Sequence, residues 1–522
     1  MPRCASHGRV GAHAACSQAV GALRAGRVSS LKEVRKEKED PMVQRQDTRI
    51  SRRGLLRLLG MLSASSAAAT LLNGCGTGRQ TAPTTAPTRA PSQSTSVPEP
   101  TAVPPAAQGG TVKWAEFYSL VTDANGKINQ DWIAGIVKQF EEENPGWKVE
   151  LEAVKWDQID QKSILDLSAG VDHDLMFSSP QLMAKHAKTG DYLDLTEFIK
   201  TMPQSEIDDL SWSPGWKSAT VAGQQIGVAT GVHTRGNAYR RDWFEEAGLD
   251  PDRPFTTLEE VVDAAQKLTR ADEDRWGLGL YMGPSRGTVE LYYGPIVWAF
   301  GGDYFDVDAK KATLTGEASI KAVQWLYDCV YTYNITPPYA FAPDADYGAL
   351  ILDNFLKGKV AQAQGFGSYW IGAIEQGGML EGCFPATKDC KPGTAGFMVQ
   401  PGAAGAQFTN AWCLSIHKLS KNPEMAFKLL LLILRPENLA SYPDAGLPAR
   451  LSAWQAPEYS SRFYQDWLKA AKQGRGVPPT PYYAELADTV AAALQEILSK
   501  KADIAATMKK FEDEWNAKYA GE

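Results

Sequence analysis

A five-residue pattern in the middle of the chain has the form of a hydrolase nucleophile turn. Residues 283–287 have the sequence GPSRG, which matches G-x-S-x-G, and they lie between a strand-like run at 278–282 and an apparent helix at 288–300. Such a serine needs a histidine base from later in the chain. His417 is the one later histidine, and it stands inside a strand-like run rather than on a loop. An exported esterase that uses Ser285 is therefore kept as the alternative hypothesis.

Other patterns that carry metal or nucleotide chemistry are missing from the sequence. It contains no H-E-x-x-H zinc motif, no G-x-x-x-x-G-K-[ST] phosphate loop and no C-x-x-C pair. Cys383 and Cys390 flank a short loop that a disulfide could close, and the sequence leaves open whether they are bridged. Cys329 and Cys413 stand in apolar runs and are predicted to be buried thiols. We expect no metal and no cofactor.

Aromatic and short polar side chains follow each of the first three predicted strands. Tyr118 follows the first strand, Trp156 and Asp157 follow the second, and Ser179 follows the third. Ligands of open α/β sheets bind beyond the carboxyl ends of the strands, so these side chains are expected to share a cleft. Flat rings suit the apolar faces of sugar rings, and carboxylates and hydroxyls bond to sugar hydroxyls. The alternative is that the aromatic residues belong to the core.

The elements that would position these residues alternate between strand and helix. Strands are predicted at 111–115, 148–154 and 174–178, and helices near 131–143, 157–169 and 180–189. This alternation implies α/β layers with a largely parallel sheet. A chain of 522 residues is long enough for two or three domains and a large core.

The charge is distributed unevenly along the chain. The formal net charge is −7, but residues 1–74 contain 13 Lys and Arg against 5 Asp and Glu, a contribution of +8. The remainder of the chain therefore carries −15. So acidic a body argues against nucleic acid as a partner.

A pattern typical of export precedes the body. Arg52 and Arg53 stand before an apolar run that ends in LLNGC at Cys75. This pattern resembles a twin-arginine signal joined to a bacterial lipobox, in which the cysteine becomes the diacylated first residue. The run is too short and too rich in Ala, Ser and Thr for a comfortable membrane span. We expect residues 42–74 to be the export signal, and the general secretion route stays open because Leu55 replaces the usual Phe.

The segment that follows Cys75 is predicted to be a tether. Residues 75–110 consist mainly of Thr, Pro, Ala, Ser, Gln and Gly, a composition that favours extended, solvated chain. Two acyl chains on one cysteine suffice for stable anchoring. We expect a lipid anchor on the outer face of the cytoplasmic membrane, at the cell surface or in the periplasm. Residues 1–41 carry no export feature and are expected to be untranslated or disordered.

The body carries a series of motifs that belong to a known family. Residues 237–251 have the sequence NAYRRDWFEEAGLDP, and further motifs are GGDYFD at 301–306, GSYW at 367–370, SKNPEMA at 420–426 and LPARLS at 447–452. These motifs resemble those of the family 1 extracellular solute-binding proteins of ABC importers, relatives of the maltose-binding protein. The likeness extends along almost the whole body.

The resemblance implies a type II periplasmic-binding-protein fold. Two α/β lobes, each a mainly parallel sheet flanked by helices, would be joined by hinge crossings near 230–234, 402–408 and 442–447. Lobe 1 would comprise 111–231 and 405–445, and lobe 2 would comprise 232–404 and 446–522. The ligand would be enclosed as the lobes close about the hinge.

The resemblance also nominates ligand-binding residues in addition to those at the strand ends. They are His233, Trp298, Asp303, Ser368, Tyr369, Trp370, Asn410, Trp412 and Tyr483. Tyr369 and Trp370 match the G-S-W element of the family and are expected to stack against the ligand. The implied function is capture of a sugar or oligosaccharide and its delivery to the permease subunits of an ABC importer. The protein is expected to be a monomer. Glycerol phosphodiesters, polyamines and other small solutes stay open as ligands.

Overall fold

The structure is a computed structural model that describes residues 109–120, 126–253, 255–344, 346–380, 393–441, 447–460 and 462–522. The predicted export signal, Cys75 and nearly all of the 75–110 tether lie outside these residues. The predicted pairing of Cys383 with Cys390 lies outside them as well and stays a prediction. None of the described helices is both long and apolar enough to cross a membrane.

Three strands that run in parallel begin the sheet. β1 (Gly110–Glu116) pairs with β2 (Trp147–Ala153) on one side and with β3 (Leu175–Ser178) on the other. Their carboxyl ends therefore meet at one edge of the sheet, as the sequence predicts. The helices of this part are α1 (Gly126–Glu143), α2 (Ile159–Ala169), α3 (Met183–Thr189), α4 (Thr196–Ile199), α5 (Gln204–Ser211) and α6 (Pro214–Ser218). A small hairpin, β4 (Thr220–Val221) and β5 (Gln224–Gln225), leads out of it.

One long buried strand, β6 (Val228–Arg240), joins the two parts of the sheet. Its first half pairs antiparallel with β11 (Thr409–Ile416), which in turn pairs antiparallel with β3. Its second half pairs antiparallel with β9 (Gln362–Gly367) and β10 (Ala395–Met398). The sheet is mixed, because the strands that cross between its two parts run against their neighbours.

The remaining helices follow β6 along the chain: the helix Pro423–Ile433 packs against β3 and β11, whereas the helix Arg462–Gln473 packs against β10. They are α7 (Arg241–Glu246), α8 (Leu258–Leu268), α9 (Arg286–Thr288), α10 (Gly294–Ala299), α11 (Glu317–Tyr331), α12 (Asn354–Leu356), α13 (Ile371–Gln376), α14 (Pro423–Ile433), α15 (Pro436–Ala440), α16 (Arg462–Gln473), α17 (Tyr483–Lys500) and α18 (Ile504–Tyr519). The short hairpin of β7 (Phe305–Asp306) and β8 (Lys311–Ala312) precedes α11. A π-helical turn, Val289–Tyr293, separates α9 from α10, where the sequence predicts an uninterrupted helix.

The predicted crossings meet beside the middle of β6. Phe408 O accepts a hydrogen bond from Arg235 N at 3.0 Å, and Leu447 O accepts one from Val232 N at 2.8 Å. The chain thus passes β6 at 408 and again at 447, close to residues 230–234 of β6 itself, and the role of these passages as hinge crossings stays a prediction. The rest of the third predicted crossing, 442–446, lies outside the described residues.

Aromatic rings fill much of the core. Trp467 on α16 stacks on Phe397 of β10 with ring centroids 3.6 Å apart, which fixes that helix against the sheet. Burying one such ring contributes roughly 1.5–3 kcal/mol. Cys329 and Cys413 are buried free thiols, as predicted. The first turn of α8 is held by a capping box between Thr257 and Glu260.

Candidate ligand-binding cleft

A cleft of about 510 Å³ lies between the strand-end loops of the first part and the helices of the second. One wall comes from the loop after β2 and from α2 and the turn after β3. The other comes from the α9 region, from Tyr347 and from the start of α17. The lining residues are Trp156, Asp157, Asp160, Ser179, Gln181, Leu182, Tyr281, Ser285, Arg286, Gly287, Glu290, Leu291, Tyr347, Trp412, Tyr483 and Ala484.

Aromatic rings on both walls face this cleft. Trp156 stands in the loop after β2 at the mouth of the cleft, where its side chain is 65% exposed. Trp412 on β11 is half-buried and packs against Phe117, with centroids 4.7 Å apart. On the opposite wall, Tyr281 and Tyr347 contact each other at 5.6 Å. Rings on both sides can sandwich a flat or chair-shaped ligand.

A carboxylate is held firmly on the first wall. Asp160, in the first turn of α2, accepts hydrogen bonds from Ser179 N at 2.9 Å and from Ser179 Oγ at 2.5 Å. These bonds tie α2 to the turn after β3. Asp160 therefore presents a fixed acceptor to the cleft, whereas Asp157 next to it is exposed.

The second wall carries a carboxyl group in an unusual setting. Glu290 lies in the π-helical turn, a feature common at functional sites because it re-aims side chains. Burial raises the pKa of Glu290 to about 7, although contacts with Gln181, Arg235, Tyr483 and Arg286 act in the opposite direction. Near neutral pH this group can therefore either accept or donate a hydrogen bond to a ligand.

Arg286 is the basic residue among the lining residues named above, and it is already paired. Its Nε and an Nη atom lie 2.8 Å from the two carboxylate oxygens of Asp488 on α17. This bidentate pair fixes the guanidinium and compensates its charge. The cleft thus offers mainly rings and hydrogen-bonding oxygens to a ligand.

Comparison with known proteins identifies the family. The profile of the bacterial extracellular solute-binding proteins matches residues 125–440, more than half of the chain. This chain belongs to that family. The resemblance predicted from the sequence motifs is therefore confirmed.

Relatives of this solute-binding protein match over most of their length. A Brucella abortus (strain 2308) protein described as a binding protein is 23% identical over 377 residues, 72% of this chain and 86% of its own. A solved ABC transporter solute-binding protein of Thermotoga lettingae, bound with α-D-tagatose, superposes with a TM-score of 0.63 at 22% identity. It covers 78% of this chain and 99% of that one. A maltose-bound protein of T. maritima gives 0.62 at 18% identity, with 78% and 99% covered. The two-lobed α/β architecture is confirmed by this likeness.

The solute-binding protein brings several of the sequence-predicted site residues together. The cleft is lined by Trp156, Asp157, Ser179, Trp412 and Tyr483. Their roles in ligand binding stay predictions. Trp370 lies one layer behind the lining and packs against Tyr347 with centroids 4.7 Å apart, so it supports a ring that faces the cleft.

Other predicted residues lie away from the lining. Tyr118 is fully buried and packs edge-on against Phe177 in the core. Trp298 is buried, donates from Nε1 to Asp303 Oδ1 at 3.3 Å, and carries the guanidinium of Arg475 over its ring at 4.4 Å. Asp303 also pairs with Arg475. These three side chains therefore contribute to packing and ion pairing rather than to the lining of the cleft.

The remaining predicted residues lie on or near the crossing strands. His233 on β6 is buried opposite Asn410 on β11, and burial lowers the pKa of His233 to about 3, with Arg235 adding to the effect. Ser368, at the end of β9, is buried, and its hydroxyl has no hydrogen-bond partner within the described part of the chain. The side chain of Tyr369 lies outside the described ones.

Several lining residues were not nominated from the sequence. Asp160, Gln181, Tyr281, Glu290 and Tyr347 all reach the cleft. Gln181 stands in the strand-end loop after β3, so its position was the available signal. The other four lie within helices or irregular segments whose local sequence has no feature that points to a ligand.

Ser285 of the alternative esterase hypothesis does line the cleft, but its surroundings differ from those of a nucleophile. Tyr281 OH donates to Ser285 Oγ at 3.1 Å. His417 is fully buried elsewhere, with Nε2 3.2 Å from Ser163 O, and it is not among the lining residues. The described cleft residues therefore provide this serine with no histidine base.

Proposed function

We propose that this solute-binding protein is the ligand-capturing subunit of an ABC importer and that its ligand is a sugar, oligosaccharide or polyol. The observation that carries the proposal is the cleft with aromatic rings on both walls and hydrogen-bonding side chains between them. Rings such as Trp156 and Tyr347 suit the apolar faces of a sugar, and Asp160 and Glu290 suit its hydroxyls. The relatives crystallised with α-D-tagatose and maltose support this ligand class.

The proposed mechanism is closure of two lobes about the ligand. Lobe 1 would comprise 111–231 and 405–445, and lobe 2 would comprise 232–404 and 446–522. The change of pairing partner halfway along β6 supports this division. A ligand that contacts both walls binds the closed form more tightly and so shifts the population toward it. Permease subunits would then recognise the closed form.

Calorimetric titration and thermal unfolding with D-tagatose, maltose, maltotriose and ribitol test the ligand class, with spermidine and glycerophosphocholine as competing classes. Saturable stabilisation by one of the saccharides or by ribitol is expected, about 2.7 kcal/mol at a ligand concentration of about 100 Kd. Small-angle scattering should show a smaller radius of gyration for the liganded protein. Binding of spermidine or the phosphodiester alone would contradict the proposal. Hydrolysis of a p-nitrophenyl ester that is lost in Ser285→Ala would favour the esterase.

We also propose a lipid anchor on Cys75 and a monomeric state. The lipobox-like sequence before Cys75 and the Pro- and Thr-rich segment after it support the anchor. In a bacterial host the wild-type protein should fractionate with membranes and carry a diacylglyceryl group by mass spectrometry. Cys75→Ala should abolish the modification, and Thr77→Ala is the matched control. Light scattering during gel filtration should give the mass of one chain.

A further inference from the structure

A buried histidine lies between two carboxylates directly behind the cleft wall. His186 on α3 is fully buried, with Nε2 2.9 Å from Asp160 Oδ1 and Nδ1 2.8 Å from Asp191 Oδ2. Each ring nitrogen therefore faces a carboxylate oxygen that accepts hydrogen bonds. The two nitrogens can donate at the same time only when both carry protons. Burial alone lowers the pKa of His186, but the two carboxylates outweigh it and raise the pKa to about 9. The ring is an imidazolium at neutral pH.

Asp191 holds this imidazolium from the side away from the cleft. Asp191 is fully buried and accepts a second hydrogen bond from Ser163 Oγ at 2.7 Å. The ring of Tyr192 covers that of His186 with centroids 4.5 Å apart. The imidazolium is thus fixed in position by α2, by its own helix and by the segment after α3.

Asp160 links the buried imidazolium to the cleft. Its Oδ1 accepts from His186 and from Ser179 N, and its Oδ2 accepts from Ser179 Oγ. A carboxylate offers roughly four lone-pair sites, so about one acceptor site stays open on Oδ2. Asp160 lines the cleft, so a ligand donor can occupy that site.

We propose that Asp160 binds a ligand hydroxyl through Oδ2 and that His186, held by Asp191, is the positioning residue that fixes the Asp160 carboxylate. This inference rests on the proposed function. Without the imidazolium the carboxylate would lose one of its three fixed hydrogen bonds and its compensating charge. Its rotamer would then be less well defined for the ligand.

The titratable groups that face His186 indicate which group changes charge near pH 9. Asp160 faces it from α2, and Asp191 and Tyr192 face it from the segment after α3. Burial raises the pKa of Tyr192 well above its ordinary value, and it also raises the pKa of Cys413, which lies near Asp160. His186 is therefore the group expected to change charge near pH 9.

Calorimetric titration with maltose, D-tagatose and ribitol across pH 6–10 tests the proposal in the full chain. With the tightest of these probes, we expect wild-type affinity to fall severalfold between pH 8.5 and pH 10, a range that lies above the titration of Glu290 near pH 7. Asp160→Asn and His186→Gln should each weaken binding about tenfold at pH 7, and the loss between pH 8.5 and pH 10 should vanish in His186→Gln. His417→Gln, at another buried histidine, is the matched control and should behave as wild type.

Ring nitrogen NMR of the unliganded wild-type protein gives a second measurement that is independent of variant folding. Both nitrogens of His186 should be protonated at pH 7, and a neutral ring would overturn the inference. Wild-type affinity for the probe in Asp160→Asn, or a wild-type affinity that stays constant between pH 8.5 and pH 10, would overturn it too. If the wild-type protein binds none of the probes, the proposed function fails and takes this inference with it. If it binds them and the variants bind equally, this inference alone fails.

Discussion

The side-chain amide of Gln181 lies 3.5 Å from Oε2 of Glu290, and this contact joins the two walls of the cleft. Gln181 stands in the turn after β3, whereas Glu290 stands in the π-helical turn between α9 and α10. The amide can donate to the carboxylate most strongly when Glu290 is charged, but burial disfavours that charge. The protonation of Glu290 therefore affects both stability and the strength of this contact between the two walls.

Glu290→Gln is expected to remove a pH dependence of stability. The folded-state pKa of Glu290, about 7, lies above its ordinary value of 4.5, so the folded state holds this proton more tightly. The stability that this contributes is complete below pH 4.5 and is lost as the pH rises through about 7. The free energy of unfolding of the variant minus that of wild type should therefore be about 1–3 kcal/mol larger at pH 8 than at pH 4.5.

Urea unfolding at pH 4.5 and pH 8 measures that difference. Glu514→Gln, which changes an exposed glutamate on α18, is the matched control and should leave the pH dependence unaltered. Equal pH dependence in wild type and Glu290→Gln would show that this carboxyl group titrates normally.

Trp156→Ala is expected to weaken sugar binding with little effect on stability. The indole is 65% exposed, so its removal leaves no cavity and should change the free energy of unfolding by about 0.5 kcal/mol or less. Loss of one stacking face and its buried area should lower affinity about tenfold, which corresponds to about 1.4 kcal/mol. Calorimetric titration with the best sugar of the panel checks this. Tyr333→Ala removes a partly exposed ring, 38% against 65% for Trp156, that lies outside the lining, and it should bind as wild type.

His233 is expected to make the protein sensitive to acid. Its folded-state pKa, about 3, lies below the ordinary 6.5, so the unfolded state binds the proton more tightly between these values. Stability is complete above about pH 6.5 and falls as the pH decreases toward 3. From pH 7 to pH 4.5 this group should cost about 2–3 kcal/mol.

Thermal or urea unfolding of His233→Gln at both pH values tests this expectation. The variant should lose less stability on acidification than wild type does, whatever its absolute stability at pH 7. His417→Gln provides a control at a second buried histidine. An identical loss in wild type and His233→Gln would assign the acid sensitivity to other groups.

Gly402→Ala is expected to destabilise the crossing segment. Gly402 has φ of +120°, and a Cβ atom there would lie 2.5 Å from the Cβ of Ala299. Both the left-handed backbone and the close approach disfavour a side chain, at a cost of about 1–3 kcal/mol. Gly135→Ala on the exposed face of α1 meets no atom within 4 Å and should instead stabilise by up to about 1 kcal/mol. Unfolding free energies of the two variants should therefore move in opposite directions.

Local sequence pattern was sufficient for the first α/β units. The strand predicted at 111–115 is β1 (Gly110–Glu116), and the helix predicted near 157–169 contains α2 (Ile159–Ala169). Strand alternation and helical periodicity are short-range signals, so they survive without knowledge of the fold. The helix predicted at 288–300 contains a π-helical turn instead, because packing between α10, α17 and the cleft decides its geometry rather than local propensity.

Strand topology was sufficient to predict that some of the named residues lie at the cleft, whereas their roles in ligand binding stay predictions. Trp156 and Ser179 reach the cleft because the carboxyl ends of parallel strands meet at one sheet edge. The same rule also placed Tyr118 at the cleft, but its ring packs against Phe177 in the core. Trp156, Ser179 and Tyr118 are all aromatic or polar residues that follow a strand, and only the positions of the neighbouring side chains distinguish those at the cleft from the one in the core.

The sequence by itself determined the family and the α/β class, because motifs, periodicity and turn residues are encoded over short stretches. Only the tertiary structure decided which side chains form the cleft. It brought Asp160 to His186, 26 residues away, and Gln181 to Glu290, 109 residues away. Contacts of that separation depend on how the sheet and helices pack, and the pKa values of Glu290 and His186 follow from the burial and charges that this packing creates.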